Sequence, residues 1–74
     1  MLLPANLSLL SPLTRREIET LQLIANGATS RQIADDQNIT TGTIKNCVWR
    51  ATVELGADSR TQAVAAALRL GIIK

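Results

Sequence analysis

Lys45, Asn46, Trp49 and Arg50 stand close together in the chain and carry an ammonium, a carboxamide, an indole and a guanidinium. This is a vocabulary for binding, not for bond cleavage. An ammonium and a guanidinium attract phosphate, and a carboxamide can pair with both groups on the major-groove edge of adenine. No acid interrupts the stretch between Asp36 and Glu54. In the amino-terminal half of a helix these groups would also share the positive end of its dipole. The target such a face suits is a polyanion with readable base edges, which is duplex DNA. Trp49 admits three readings. It can pack on thymine methyls or sugars, anchor a protein partner, since tryptophan is enriched at interface hot spots, or fold back onto the core or leader.

Catalytic and metal chemistry find little material. The chain has no histidine and no tyrosine. Cys47, the single cysteine, lacks a base to activate it and reads as a small buried thiol. The six carboxylates fall mostly at predicted caps and solvent faces, and no glycine-rich phosphate loop occurs. The expectation is therefore no enzyme, no catalytic residue, no metal and no cofactor.

The elements that must position the binding residues have to come from a small chain. Its 74 residues make one domain at most, and a domain near this size buries only about 60% of its unfolded surface. One cysteine cannot form an internal disulfide, and the usual nitrogen ligand for zinc is missing. A partner chain is the expected support. A hydrophobic content of 46% argues against disorder. With a net charge of only +2, where the charge lies matters more than its sum. No segment approaches the roughly 20 apolar residues of a membrane span. Residues 1–12 read as a short apolar leader closed by Ser11-Pro12. It has no basic start and carries Pro4, so the expected location is cytoplasmic and nucleoid-associated rather than secreted.

Residues 13–74 read as an all-α, compact four-helix domain. Thr14-Arg15-Arg16-Glu17 has the form of a capping box, and Ile18, Leu21, Ile24 and Ala25 follow at helical spacing. Gly27 stands where a left-handed residue would end that helix. Thr29-Ser30-Arg31-Gln32 and Ser59-Arg60-Thr61-Gln62 offer two further boxes, and Gly56 and Gly71 two further stops. Between the second and third helices the spacing predicts a helix-turn-helix. Ala34 is small enough for a close crossing, Asn38 tolerates a left-handed turn, and Ile44 can plug the corner. Ile39 can tuck under the turn, and Thr40 can cap the next helix. On the wheel of that helix, about residues 41–55, Ile44, Val48, Ala51 and Leu55 share one side. Gly42, Asn46, Trp49 and Val53 share the other, flanked by Lys45 and Arg50. In the fourth helix only Arg69 is polar from Ala63 to Leu70. That is nearly two apolar faces where a core needs one. A two-fold homodimer through Val64, Ala67 and Leu68 is expected, with Leu2–Leu10 covering part of the same surface.

From Leu13 to Ile73 the chain resembles the LuxR/GerE-type DNA-binding domain of bacterial transcription regulators. The resemblance is carried by Leu13-Thr14-x-Arg16-Glu17, Leu21-x-Leu23-x-Ala25-x-Gly27, Ile33-Ala34, Thr43-Ile44-Lys45-Asn46, Leu55-Gly56 and Ser59-Arg60-Thr61-Gln62-Ala63-Val64. It implies a third helix that enters the major groove and a fourth that serves in dimerisation. It also implies that Lys45, Asn46 and Trp49 face bases, and that Thr29, Thr40, Thr43 and Arg60 lie near phosphates. The chain departs from the family pattern at Gln37, where a core leucine is usual, and at Gly42, Cys47, Trp49, Ala51, Thr52 and Glu54. The function expected is a stand-alone, sequence-specific transcription regulator that binds duplex DNA as a dimer. The competing expectation is a protein-interaction module or antiactivator on the same fold. It would bind RNA polymerase or another regulator through Trp49 and the last helix.

Overall fold

The computed structural model describes residues 13–74, which form four α-helices in the order α1 (Arg15–Ala25), α2 (Ser30–Gln37), α3 (Thr41–Glu54) and α4 (Arg60–Arg69). The expected leader, residues 1–12, and its proposed cover over the last helix lie outside the described residues.

Each helix starts and stops where local chemistry dictates. Thr14 and Thr29 both make full capping boxes: each threonine Oγ1 accepts from the amide three residues on, and Glu17 or Gln32 accepts from the threonine's own amide. A serine or threonine in this role is worth about 1 kcal/mol over alanine. The third expected box is built differently. Ser59 Oγ accepts from the Gln62 amide at 3.2 Å, but Gln62 Oε1 accepts from the Asp58 amide, one residue further back. Ser59 is more extended (φ −151°) than Thr14 (−75°) or Thr29 (−85°), which turns its own N–H out of reach.

All four helices end in the same pair of hydrogen bonds, with the residue that follows the left-handed one (Ala28, Ile39, Ala57 or Ile72) donating back across the last turn. This geometry needs a left-handed residue. At the end of α2 that residue is Asn38 (φ 58°), the one positive-φ non-glycine among the described residues. Ile39 then donates to Ala34 at 2.9 Å. The turn of the helix-turn-helix is therefore set by the alanine and the asparagine that the spacing singled out.

α3 packs against each of the other helices, and the core divides along its length. Ile44 and Val48 join Ile33 and Ala34 in one cluster, backed by Ile24 and Ile39. Ala51 joins Leu13, Leu21, Ala63, Ala67 and Ile73 in the other. Three of the second cluster's members are fully buried alanines. Side chains this short let helices approach closely, and Ala51, one of the departures from the family pattern, is fully buried among them. Ala25, expected on the inner face of α1, is exposed, while Ile18 and Ile24 are half-buried.

Polar contacts close the remaining gaps. Gln37 is half-buried, and its Oε1 accepts from Arg16 Nη1 at 3.2 Å, tying α1 to the end of α2 where a leucine is usual. Gln22 grips the backbone of Lys74 twice, at 2.8 and 2.9 Å. Buried Thr20 donates to the Arg16 carbonyl at 2.8 Å, and Cys47 Sγ meets Thr20 Oγ1 at 3.6 Å. The thiol is thus a buried packing group on the core side of α3.

Candidate nucleic-acid interface

The sequence of α3 divides it into two faces, and the fold assigns each. Ile44, Cys47, Val48 and Ala51 are buried. Thr41, Gly42, Thr43, Lys45, Asn46, Trp49, Arg50, Val53 and, at the carboxyl end, Glu54 are exposed. Five residues expected to bind, namely Thr43, Lys45, Asn46, Trp49 and Arg50, are therefore brought together on one open helix surface. Trp49 is 63% exposed, so it does not fold back onto the described core.

The entry to α3 is fixed by its cap. Thr40 Oγ1 accepts from the Thr43 amide at 3.2 Å, and the two threonine hydroxyls lie 2.9 Å apart. One hydroxyl must donate to the other, which leaves one hydroxyl hydrogen unused there, while the Thr43 and Ile44 amides are already taken up by Thr40. The positive end of the helix dipole adds to this electropositive start. No acid occupies the first turn of α3. Among the described residues the sole ion pair is Arg15–Glu19 at 3.9 Å, so neither Lys45 nor Arg50 is held in one; the one acid of α3 is the exposed Glu54 at its last position, a turn beyond Arg50. Both cations are available to an anion from outside.

Gly42 sits on the outward line of α3 with its backbone in ordinary helical geometry. A Cβ built there would meet only Thr40 Oγ1, at 3.8 Å. Space is therefore not what keeps a side chain away. Gly42→Ala should raise stability by up to about 1 kcal/mol through helix propensity alone, read as a higher thermal midpoint. A fall would show that this position is strained in a way the geometry does not display.

Thr29 and Arg60 lie outside α3 but not apart from each other. Arg60 Nη2 donates to Ser30 Oγ at 3.2 Å, so the start of α4 is tied to the start of α2, beside Thr29. This bond leaves most of the guanidinium's five donors unused. Sequence reasoning named Ser30 only as part of a cap. Its link to a residue thirty positions away carries no periodic signal.

On α4 the expected dimer residues separate. Leu68 is 46% exposed and Leu70 67%. Val64 is half-buried against the intramolecular core. Ala67 has no exposed surface at all. It must be removed from the dimer set, because it faces Leu21 and Ala51 within its own chain's core.

The model for the luxR family of bacterial regulatory proteins matches residues 11–67. Among curated proteins, the quorum sensing-dependent transcriptional regulator VjbR of Brucella ovis is 42% identical over 66 residues. The chain aligns over 89% of its own length but spans only 26% of that relative. The spore germination protein GerE of Bacillus subtilis is 37% identical over 59 residues, 80% of each chain. The solved structure of transcription factor GerE superposes with a TM-score of 0.79 at 32% identity, covering 84% of this chain and 92% of that one.

Proposed function

The chain belongs to the luxR family of bacterial regulatory proteins, and from that premise we propose that it binds duplex DNA by laying α3 in the major groove, and regulates transcription as a dimer. One observation carries this reading. The outer surface of α3 gathers Lys45, Asn46 and Arg50 in the open, with no acid among them and with a capped, unobstructed helix start behind them. Lys45 and Arg50 supply charge, Asn46 supplies base recognition, and Thr29, Thr40, Thr43 and Arg60 sit at helix starts where phosphates would pass. Two copies related by a two-fold axis through α4 would set their α3 helices about 34 Å apart, one turn of duplex. The site of action is the nucleoid. No helix among the described residues is long and apolar enough to cross a membrane.

A second reading has its own observation. Trp49 and Val53 are large apolar side chains exposed on the same helix that carries the cations. They would serve equally in a module that grips another regulator or RNA polymerase.

Fluorescence anisotropy of a mixed-sequence duplex, at low and at moderate salt, separates the two. Wild type should bind, and log affinity should fall with log salt by about 0.9 per phosphate neutralised. Lys45→Ala should weaken binding and flatten that slope by about one contact. Absence of binding even at low salt would remove the DNA reading, since an apolar protein surface has no counterions to release.

A further inference from the structure

The exposed surface of α3 holds more than cations and an amide. Along its outward line, from the amino end, stand Gly42, Asn46, Trp49 and Val53, all exposed. Trp49 is 63% exposed and Val53 54%, the two exposed large hydrophobics on this helix. They are four residues apart and so adjacent on one face. The line from residue 42 to residue 53 measures about 16 Å at the helical rise, and the major groove is about 12 Å wide and 8.5 Å deep.

An apolar side chain entering that groove meets mostly donors and acceptors. The one apolar group a base edge displays there is the thymine 5-methyl. Resting on the DNA reading above, we infer that Trp49, supported by Val53, is a specificity-determining residue that selects a thymine in the half-site by covering its 5-methyl group. Charge complementarity chooses DNA over protein as the occupant. Lys45 precedes Trp49 by one turn, Arg50 follows it directly, and neither is paired with an acid among the described residues. An indole set between two available cations is placed for a polyanion with apolar spots. Asn46 lies one turn ahead of Trp49 on the same line, about 4.5 Å along the axis. That is a little more than one base-pair step, so an adenine read by Asn46 and a thymine read by Trp49 fall at neighbouring steps. Gly42, with no side chain, lets the amino end sit deep enough for the indole to reach.

The test uses the full chain and a duplex selected by it from random sequence. Each thymine of that duplex is replaced in turn by deoxyuridine, which removes the methyl and leaves every hydrogen-bonding group in place. Wild type should lose about four-fold in affinity at one thymine of each half-site, the worth of one buried methyl. Trp49→Gln should bind the thymine and deoxyuridine duplexes alike, with the same far-ultraviolet circular dichroism as wild type. Trp49→Leu, which keeps an apolar tip, should recover part of the difference. Salt-sensitive binding by wild type with no deoxyuridine penalty at any position would overturn the inference and leave the DNA reading standing. A penalty that persists unchanged in Trp49→Gln would assign the methyl to another residue and overturn it as well. Failure to bind any duplex at low salt would remove both, and would leave Trp49 to a protein partner.

Discussion

Ile44→Ala is expected to remove most of the stability of the folded chain. Ile44 is fully buried, at the point where α3 leaves the turn, and it packs with Ile33, Ala34 and Val48. Truncating a buried isoleucine to alanine costs about 2–5 kcal/mol, from lost transfer energy and from the cavity left behind. The higher end applies where neighbours cannot collapse into the space. Here one of the wall residues is already an alanine, and Asn38 and Thr40 hold the adjoining turn in a fixed geometry. Collapse is therefore restricted. Single domains are stable by only about 5–15 kcal/mol, and small ones sit low in that range because they bury a smaller fraction of their surface. Urea unfolding followed by circular dichroism should show a large fall in the midpoint at an unchanged slope. A midpoint within experimental error of wild type would mean that the corner between α2 and α3 contributes little to the stability of the fold. The same variant should also lose DNA binding in proportion to its unfolded fraction, because only the folded chain presents the open side of α3.

Leu68→Lys is expected to have the second largest effect, on assembly rather than folding. Leu68 is 46% exposed and neighbours the 67%-exposed Leu70 at the carboxyl end of α4. The side chain can be exchanged without opening the core, and a cation near a helix carboxyl end is favourable to the dipole. Helicity and unfolding midpoint should stay close to wild type. If two copies meet through this surface, each carries the new charge into the contact and self-association is lost. Binding to a duplex with two half-sites should then fall by about a hundred-fold or more, because the second α3 no longer binds as part of a tethered pair. Binding to a single half-site should not fall. The added positive charge would by itself raise attraction to phosphate, so weaker binding cannot be laid to electrostatics. Sedimentation checks the first half of the expectation, and titration of one- and two-site duplexes the second. An unaltered two-site affinity would show that α4 does not bring the copies together.

Local chemistry carried much of this protein's architecture in plain sight. The boxes at Thr14 and Thr29, the left-handed Asn38 and the cap at Thr40 are each settled by residues within a few positions of one another. A hydroxyl three residues before an amide finds it whatever the rest of the fold does. The division of α3 into a buried side with Ile44, Val48 and Ala51 and an open side with Lys45, Asn46, Trp49 and Arg50 follows from the same short range, because one face is apolar and the other is not.

The amino-acid sequence by itself therefore determined where the helices lie, how most of them are capped and which side of α3 is left exposed. Only the tertiary structure decided which side of α4 is inside, since from Ala63 to Leu70 that helix is apolar on nearly every side. Packing against α1 and α3 placed Ala63 and Ala67 in the core and left Leu68 outside. It also decided that Arg60 reaches Ser30, that Arg16 reaches Gln37 and that Gln22 holds Lys74. These partners are far apart in the chain, and what joins them is the angle at which helices cross. That angle is set by the summed shape of all the side chains between them, a quantity no local spacing encodes.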